Sequence, residues 1–355
     1  DVYKRQVHQQ YASLHHGCPS YSTTPIIPPS AIWRKLLFLN TLSPTARSAH
    51  SQLQFAIPIE WQSIVSEWCK LSQYGVLRFD GADAQSFLQG QLTCDVKALS
   101  PGAGLYGGYC TAKGRLLAVF LLWLHEDAYY LMLPRELTEP MRKRLSMYIL
   151  RAKVKAADMS TALCLYGVHG KLDTPIPDAC MLTLPGQRTL IAASGHASGA
   201  IEATLNASAP ASDGAMWTRL HIAAGIPDVL ASTQEQFVPQ MMNLDLIGGV
   251  NFRKGCYPGQ EIVARTHYLG KVKQRMVRAH VRAATAPRPG DKLFTKSHGE
   301  QASGMVVSSA PRAAGGHDVL AVVRLEGLDT DAPRLNSPDG ESLTVEPLPY
   351  ALPAP

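Results

Sequence analysis

Residues 237–275 read FVPQMMNLDLIGGVNFRKGCYPGQEIVARTHYLGKVKQR, and only here does the chain put a thiol, a tight turn and a charge imbalance together. Cys256 stands between Gly255 and Gly259. From Val250 to Arg282 there are eight basic residues (Arg253, Lys254, Arg265, Lys271, Lys273, Arg275, Arg278, Arg282) against one acid, Glu261. The glycines and Pro258 predict a tight loop, and Gln260 onward predicts a helix running through Arg265. A thiol just ahead of a helix N-terminus, beside Arg253 and Lys254, would have its thiolate stabilised by the dipole and the cations. A small hydrophobe filling a loop fits the same spacing equally well. No catalytic triad can be read, because His267, the nearest histidine, falls past the predicted helix. The helix start could also hold an anion on its N–H groups, with the basic flank in support; a solvated basic face is the plainer alternative.

Outside this stretch, 355 residues with 46% hydrophobic and 17% charged content describe a globular chain of two or three domains. The net charge of +6 permits an anionic partner without demanding one. Seven scattered cysteines with no C-x-x-C speak against a disulfide framework, a closed zinc site and a four-cysteine cluster. No apolar run is long enough to span a membrane.

Residues 1–54 are basic, acid-poor and rich in Ser, Thr, Pro and His from Tyr11 to Pro29. They read either as a disordered gene-start artefact or as an organellar presequence, which would move the protein from the cytoplasm to an organellar matrix. Order is expected from Phe55. Trp61, Ile64, Val65 and Trp68 have helical spacing over 60–69, and Gly75–Asp80 reads as a strand. A helix over 82–92 has Asp83 as its candidate cap. Strands 116–124 and 128–133 face each other across His125-Glu-Asp. A helix over 136–150 and a short strand at 153–156 follow. Short strands and turns fill 161–193, clearest at 163–167, then a polar loop over 206–214 leads into a helix over 216–225. Strands at 276–281, 292–295, 304–309, 320–324 and 343–345 predict a small antiparallel barrel or sandwich. The whole is α+β, divided as an N-terminal extension (1–54), a core (55–274) and a C-terminal β domain (275–355). Tyr74, Tyr106, Tyr109, Trp217, Phe252 and Tyr257 are possible stacking surfaces for a flat ligand, or simply core residues. His221 and His280 show no metal spacing and read as core or surface residues; no metal ligands are assigned.

KGCYPGQE (254–261) within its flanks resembles the signature of the YgfZ family of folate-binding proteins, relatives of the glycine-cleavage T-protein, an aminomethyltransferase. GADAQSFLQGQLTCDV (81–96), YCTAKGRLL (109–117) and VEPLPYAL (345–352) resemble other family segments in the same order, so the likeness covers roughly residues 58–352. It implies two interleaved α+β subdomains around a central folate-binding hole, followed by a C-terminal antiparallel β-barrel. It also implies a tetrahydrofolate-type cofactor, with Tyr74 and Trp217 at the family's aromatic pocket positions; relatives carry tryptophan where Tyr74 stands. Motif residues Lys254, Gly255, Cys256, Tyr257, Gly259, Gln260, Glu261 and Arg265 carry over, with Cys256 as functional thiol and Lys254 and Arg265 shaping its electrostatics.

The implied role is accessory: support of iron–sulfur cluster assembly or repair and, through iron–sulfur enzymes such as a tRNA methylthiotransferase, tRNA modification. One departure separates this branch from the catalytic one. The T-protein has acids in a segment resembling GGIIDDL, whereas GRLLAVF (114–120) has Ala118 and Val119 at those places. Without that carboxylate the obvious group for proton handling at the folate nitrogen is missing. A folate-dependent one-carbon transferase or demethylase using another base is the alternative, and direct tRNA contact through the basic stretch is a third reading.

Overall fold

A computed structural model describes residues 65–353, except 171, 173 and 174. The readings for residues 1–54, and the start of the helix expected over 60–69, lie outside the described residues. Val65 and Ser66 are not helical, and β1 (Glu67–Lys70) is a strand. The apolar spacing there serves a strand whose neighbours face two cores: Trp68 packs on one side and Cys69 on the other.

The first sheet is built from β2 (Tyr74–Asp80), β3 (Gly104–Cys110), β4 (Leu116–His125), β5 (Ala128–Pro134) and β6 (Lys155–Asp158), in the order β3-β4-β5-β2-β6. β4 and β5 form the expected hairpin, closing at His125↔Ala128. Its turn residues Glu126 and Asp127 both have positive φ, 47° and 58°, which matches the right-handed twist of the flanking strands. Side chains alternate between two cores. Tyr74, Val76, Leu121, Trp123 and Met132 face one, whereas Leu77, Phe79, Phe120, Leu122, Leu131 and Leu133 face the other.

The second sheet has the order β1-β7-β9-β8, with β7 (Leu163–His169), β8 (Ala179–Leu184) and β9 (Arg188–Ser194). β1 precedes every strand of the first sheet yet pairs with β7, so the two sheets are interleaved along the chain. Leu165, Leu182, Leu184, Leu190 and Ala192 meet the first sheet's Tyr74 face in one shared core. The other face packs Tyr166, Val168 and Ile191 against Ile201 and Leu205 of a helix, α3 (Ser198–Ser208).

The remaining helices are α1 (Ala84–Gln91), α2 (Arg135–Ser146), α4 (Ala215–Ala224) and α5 (Gln260–Tyr268). Asp83 occupies the N-cap position of α1, but its side chain does not cap the helix. The carboxylate instead accepts a hydrogen bond from Lys153 N at 2.7 Å, tying α1 to the segment leading into β6. α3 begins ahead of the loop expected at 206–214 and ends inside it, a helix the small, polar residues of SGAIEATLNAS did not announce. His267 lies within α5, not beyond it.

From β10 the chain forms a six-stranded antiparallel sheet curled into a half-barrel, in the order β14-β11-β12-β13-β10-β15. Its strands are β10 (Gln274–Val281), β11 (Lys292–Phe294), β12 (Gly304–Pro311), β13 (His317–Arg324), β14 (Arg334–Leu335) and β15 (Thr344–Glu346). Met305, Val307, Leu320 and Val322 join the core of the first sheet, while Val306, Val319, Ala321 and Val323 fill the half-barrel's own. The C-terminal segment returns to the body: Tyr350 Oη donates to Gly225 O at 2.7 Å. No described helix is long and apolar enough to cross a membrane.

Candidate functional site

The core shared by the two sheets is apolar at its margins and polar at one place. Tyr74 (β2), Tyr106 (β3), Arg188 (the first residue of β9), Trp217 and His221 (α4) and Asp228 converge there from five separate stretches of chain. The His221 ring lies 6.1 Å from that of Tyr74 and 5.3 Å from that of Trp217. The Arg188 guanidinium stands 5.5 Å from the Trp217 ring. Tyr74 donates its hydroxyl to the Asp228 carboxylate. Trp217 is 0% exposed and lies against Gly167 of β7, where a Cβ would come within 2.3 Å of the indole. Only glycine lets the strand approach the ring so closely.

Six buried polar atoms in this cluster have no hydrogen-bond partner: Tyr106 Oη, Arg188 Nη1 and Nη2, Trp217 Nε1, and both ring nitrogens of His221. His221 Nδ1 is 3.7 Å from Asp228, beyond hydrogen-bond reach. Native cores satisfy most buried polar groups, so six orphans among four neighbouring side chains mark a place built for something polar. Burial lowers the His221 pKa and so favours the neutral ring, with Asp228 opposing the shift and Arg188 adding to it. Burial and the adjacent Asp228 carboxylate raise the Tyr74 hydroxyl well above its ordinary range. Burial likewise raises Tyr106, with Arg188 opposing it.

Two clefts have walls from both sheets. One, of about 390 Å³, is lined by Trp123, Tyr130, Cys180 and Ala192, with the Trp123 and Tyr130 rings stacked 5.4 Å apart. The other, of about 300 Å³, is lined by Tyr74, Val76, Leu163 and Leu165. Ala118 and Val119 are buried in β4. The register Gly108↔Val119 and Tyr106↔Leu121 puts Val119 on the strand face that carries Tyr106. Val119 itself packs in the other core, with Ala118 and Phe120, and the carboxylate present at the cluster is Asp228.

The cysteine loop lies elsewhere, packed on the turn between β3 and β4. Asn251 Oδ1 accepts from Arg253 N at 2.7 Å and Lys254 N at 3.0 Å, which starts the turn. Lys254 points inward: its ammonium donates to the carbonyls of Leu92 (2.5 Å) and Cys94 (2.8 Å) and sits 5.3 Å from the Tyr257 ring centre. Burial lowers its pKa to about 8. Tyr257 is buried, and its hydroxyl is pushed up by burial. Gly259 occupies the N-cap position of α5 in the left-handed conformation, φ 80°, which glycine adopts without strain. Gly255, Cys256, Glu261 and Arg265 are exposed and Gln260 is half-buried. Cys256 is the exposed thiol among the free cysteines described.

The basic stretch is thinner in space than in sequence. Arg275 is buried in a bidentate pair with Asp245, both contacts at 2.9 Å, and Arg278 pairs with Glu346 at 3.0 Å. Arg253, Arg265, Lys271, Lys273 and Arg282 stay exposed. Of the aromatic candidates, Phe252 stacks on His267 at 3.7 Å, with Tyr268 edge-on. Among the described residues no group of three or more His, Cys, Asp or Glu is placed to hold a metal.

The structure thus brings Tyr74 and Trp217 together and leaves Cys256 on another part of the molecule. Sequence reading named Tyr106 only as one aromatic among several and set His221 aside. It missed Arg188 and Asp228 altogether. A signal existed for Arg188: it is the lone charge opening RTLIAAS, whose other residues are uncharged.

Among curated proteins, the tRNA-modifying protein YgfZ of Colwellia psychrerythraea is 31% identical over 303 residues, 80% of this chain and 93% of that protein. The protein of the same name from Photorhabdus laumondii is 29% identical over 317 residues (83% and 95%). That from Sodalis glossinidius is 28% identical over 302 residues (79% and 92%). Among solved structures, the glycine cleavage system aminomethyltransferase T from Bartonella henselae matches with a TM-score of 0.65 at 16% identity, covering 81% of this chain and 86% of that one. That is a likeness of fold. No family model matches the chain.

Proposed function

Because this chain belongs to the YgfZ family of tRNA-modifying proteins, we propose that it binds a reduced folate between its two sheets and serves as an accessory protein to iron–sulfur enzymes. The observation that carries the folate reading is the set of six orphaned buried polar atoms around Trp217. A pterin is flat, stacks on aromatic faces and carries hydrogen-bonding groups around its rim, which is what an indole beside a guanidinium, a phenol and a neutral imidazole can take. Tyr74 contributes through Asp228, whose carboxylate it orients.

Cys256 is exposed and separate from this cluster, a placement suited to meeting a partner protein. Its client would be an iron–sulfur enzyme, and tRNA modification would follow through that client. Titrating 5-formyltetrahydrofolate against the protein and against Trp217→Phe tests the pocket: saturable binding weakened by the substitution is expected, and no binding, or equal binding by both, rejects it. Cys256→Ser in a strain lacking the gene tests the thiol; full restoration of iron–sulfur enzyme activity would remove it from the function.

Asp228 favours one alternative, a folate-dependent one-carbon transferase, because it supplies a carboxylate where Val119 does not. Formation of methylenetetrahydrofolate from an aminomethyl or N-methyl donor, abolished by Asp228→Asn, would establish that reading.

A further inference from the structure

Arg188 is 0% exposed, yet it makes no ion pair among the described residues. Its side chain donates from Nε to Pro185 O at 2.8 Å, which aligns the guanidinium beside Trp217, and among the described residues no acceptor meets hydrogen-bond geometry at either terminal nitrogen. The carboxylate that could neutralise it, Asp228, is instead bound by Tyr74. A buried cation without a carboxylate partner is costly, and its stacking on Trp217 offsets only part of that cost.

The cluster therefore has two poles. Arg188 Nη1 and Nη2 and Trp217 Nε1 only donate, and Asp228 only accepts. A ligand spanning them needs an acceptor edge and a donor edge on one flat body. The 2-amino-4-oxopteridine ring has both, with its 4-oxo oxygen next to the N3–H and 2-amino donors. The glutamate end of a folate is flexible and strongly hydrated, and does not suit a fully buried guanidinium.

Resting on the folate reading above, we infer that Arg188 is the specificity-determining residue of this site and reads the 4-oxo oxygen of the pterin. A 2,4-diaminopteridine puts a donor group at that place, against a cation that can only donate, so the site rejects it.

Folic acid and aminopterin differ only at position 4, as do their tetrahydro forms, and the test measures all four against the full chain and Arg188→Gln. In the wild type the 4-oxo member of each pair binds at least about tenfold more tightly. In Arg188→Gln the two members fall within about threefold of each other, because the discriminating charge is gone. Ligand-free Arg188→Gln melts at a higher temperature than the wild type, since it no longer buries an unpaired charge. Equal binding of both members by the wild type, or an unchanged preference in the variant, overturns the assignment while the folate reading stands. A lower melting temperature for the ligand-free variant makes Arg188 structural and also overturns it. Binding of none of the four compounds sinks the folate reading itself, and this inference with it.

Discussion

Gly259 and Gly114 meet backbone to backbone: a Cβ on Gly259 would lie 2.7 Å from Gly114 Cα and N, and 2.4 Å from the Thr111 carbonyl oxygen. Both have positive φ, 80° and 70°. The second glycine of the cysteine motif thus locks the loop onto the turn that leads into β4. Gly259→Ala forces both a left-handed alanine and a clash with backbone that cannot rotate away, and is expected to cost at least about 2 kcal/mol. Gly255→Ala is the control, with nothing within 4 Å of its would-be Cβ. Urea denaturation of the two variants checks the contrast; equal stabilities would refute the packing argument.

The Arg275–Asp245 pair, each side chain 6% exposed, joins the half-barrel's first strand to the segment before the cysteine loop. Asp245→Asn leaves a buried guanidinium without its counter-charge and is expected to lose about 3–5 kcal/mol. The double substitution Arg275→Met with Asp245→Leu removes both charges and should lose less than the single one. A double-mutant cycle on chemical denaturation decides, and additive losses would show that the pair is not coupled.

Alkaline pH should unfold the protein through its buried thiols. Burial pushes Cys94 and Cys110 up to about 12 from an ordinary value of 9.0. A raised folded pKa means that the native state binds more protons than the unfolded chain above pH 9.0. Each thiol's stabilisation is therefore complete below pH 9.0 and is lost as pH rises towards 12, at about 1.4 kcal/mol per pH unit. Lys254, lowered to about 8 by burial, acts the other way from about pH 8 to its ordinary 10.5. Stability measured from pH 8 to 11 should fall less steeply in Cys110→Ala than in the parent; parallel curves would clear Cys110 of the effect.

Native-state alkylation should single out Cys256. It is exposed and Cys164 is half-buried, whereas Cys69, Cys94, Cys110 and Cys180 are buried. Among the described residues, iodoacetamide should modify Cys256 first and Cys164 next, with the other four protected until the chain unfolds. Peptide mass spectrometry reads the order directly, and early labelling of a buried thiol would contradict the packing. Cys256→Ser should leave the melting temperature within about 1 °C, because an exposed side chain contributes little to stability.

The parts legible in the chain share a short range. The β4–β5 hairpin shows in two apolar runs around His125-Glu-Asp, and α5 in the helix start that follows Pro258-Gly259. β1 was misread because four apolar residues at 61, 64, 65 and 68 fit a helical face, while the described part of that stretch feeds two cores on opposite sides of a strand. α3 was missed because Ile201 and Leu205 are the only two of its residues fully buried, too few to set a period. Lys254 counted in sequence as a cation beside a thiol, but its ammonium turns away to the Leu92 and Cys94 carbonyls.

By itself the sequence determined the alternation of the strands, the tight turn of the cysteine loop and membership of the YgfZ family, because each is written in short runs of residues adjacent along the chain. Only the tertiary structure decided where Arg188 and Asp228 stand. Arg188 opens β9 and stands over Trp217, while Asp228 follows α4 and meets Tyr74 and His221, residues far apart along the chain that packing brings to one core. No local pattern encodes a distance between strands that meet only after folding, and the unpaired charge at Arg188 exists only once the apolar surfaces around it have closed.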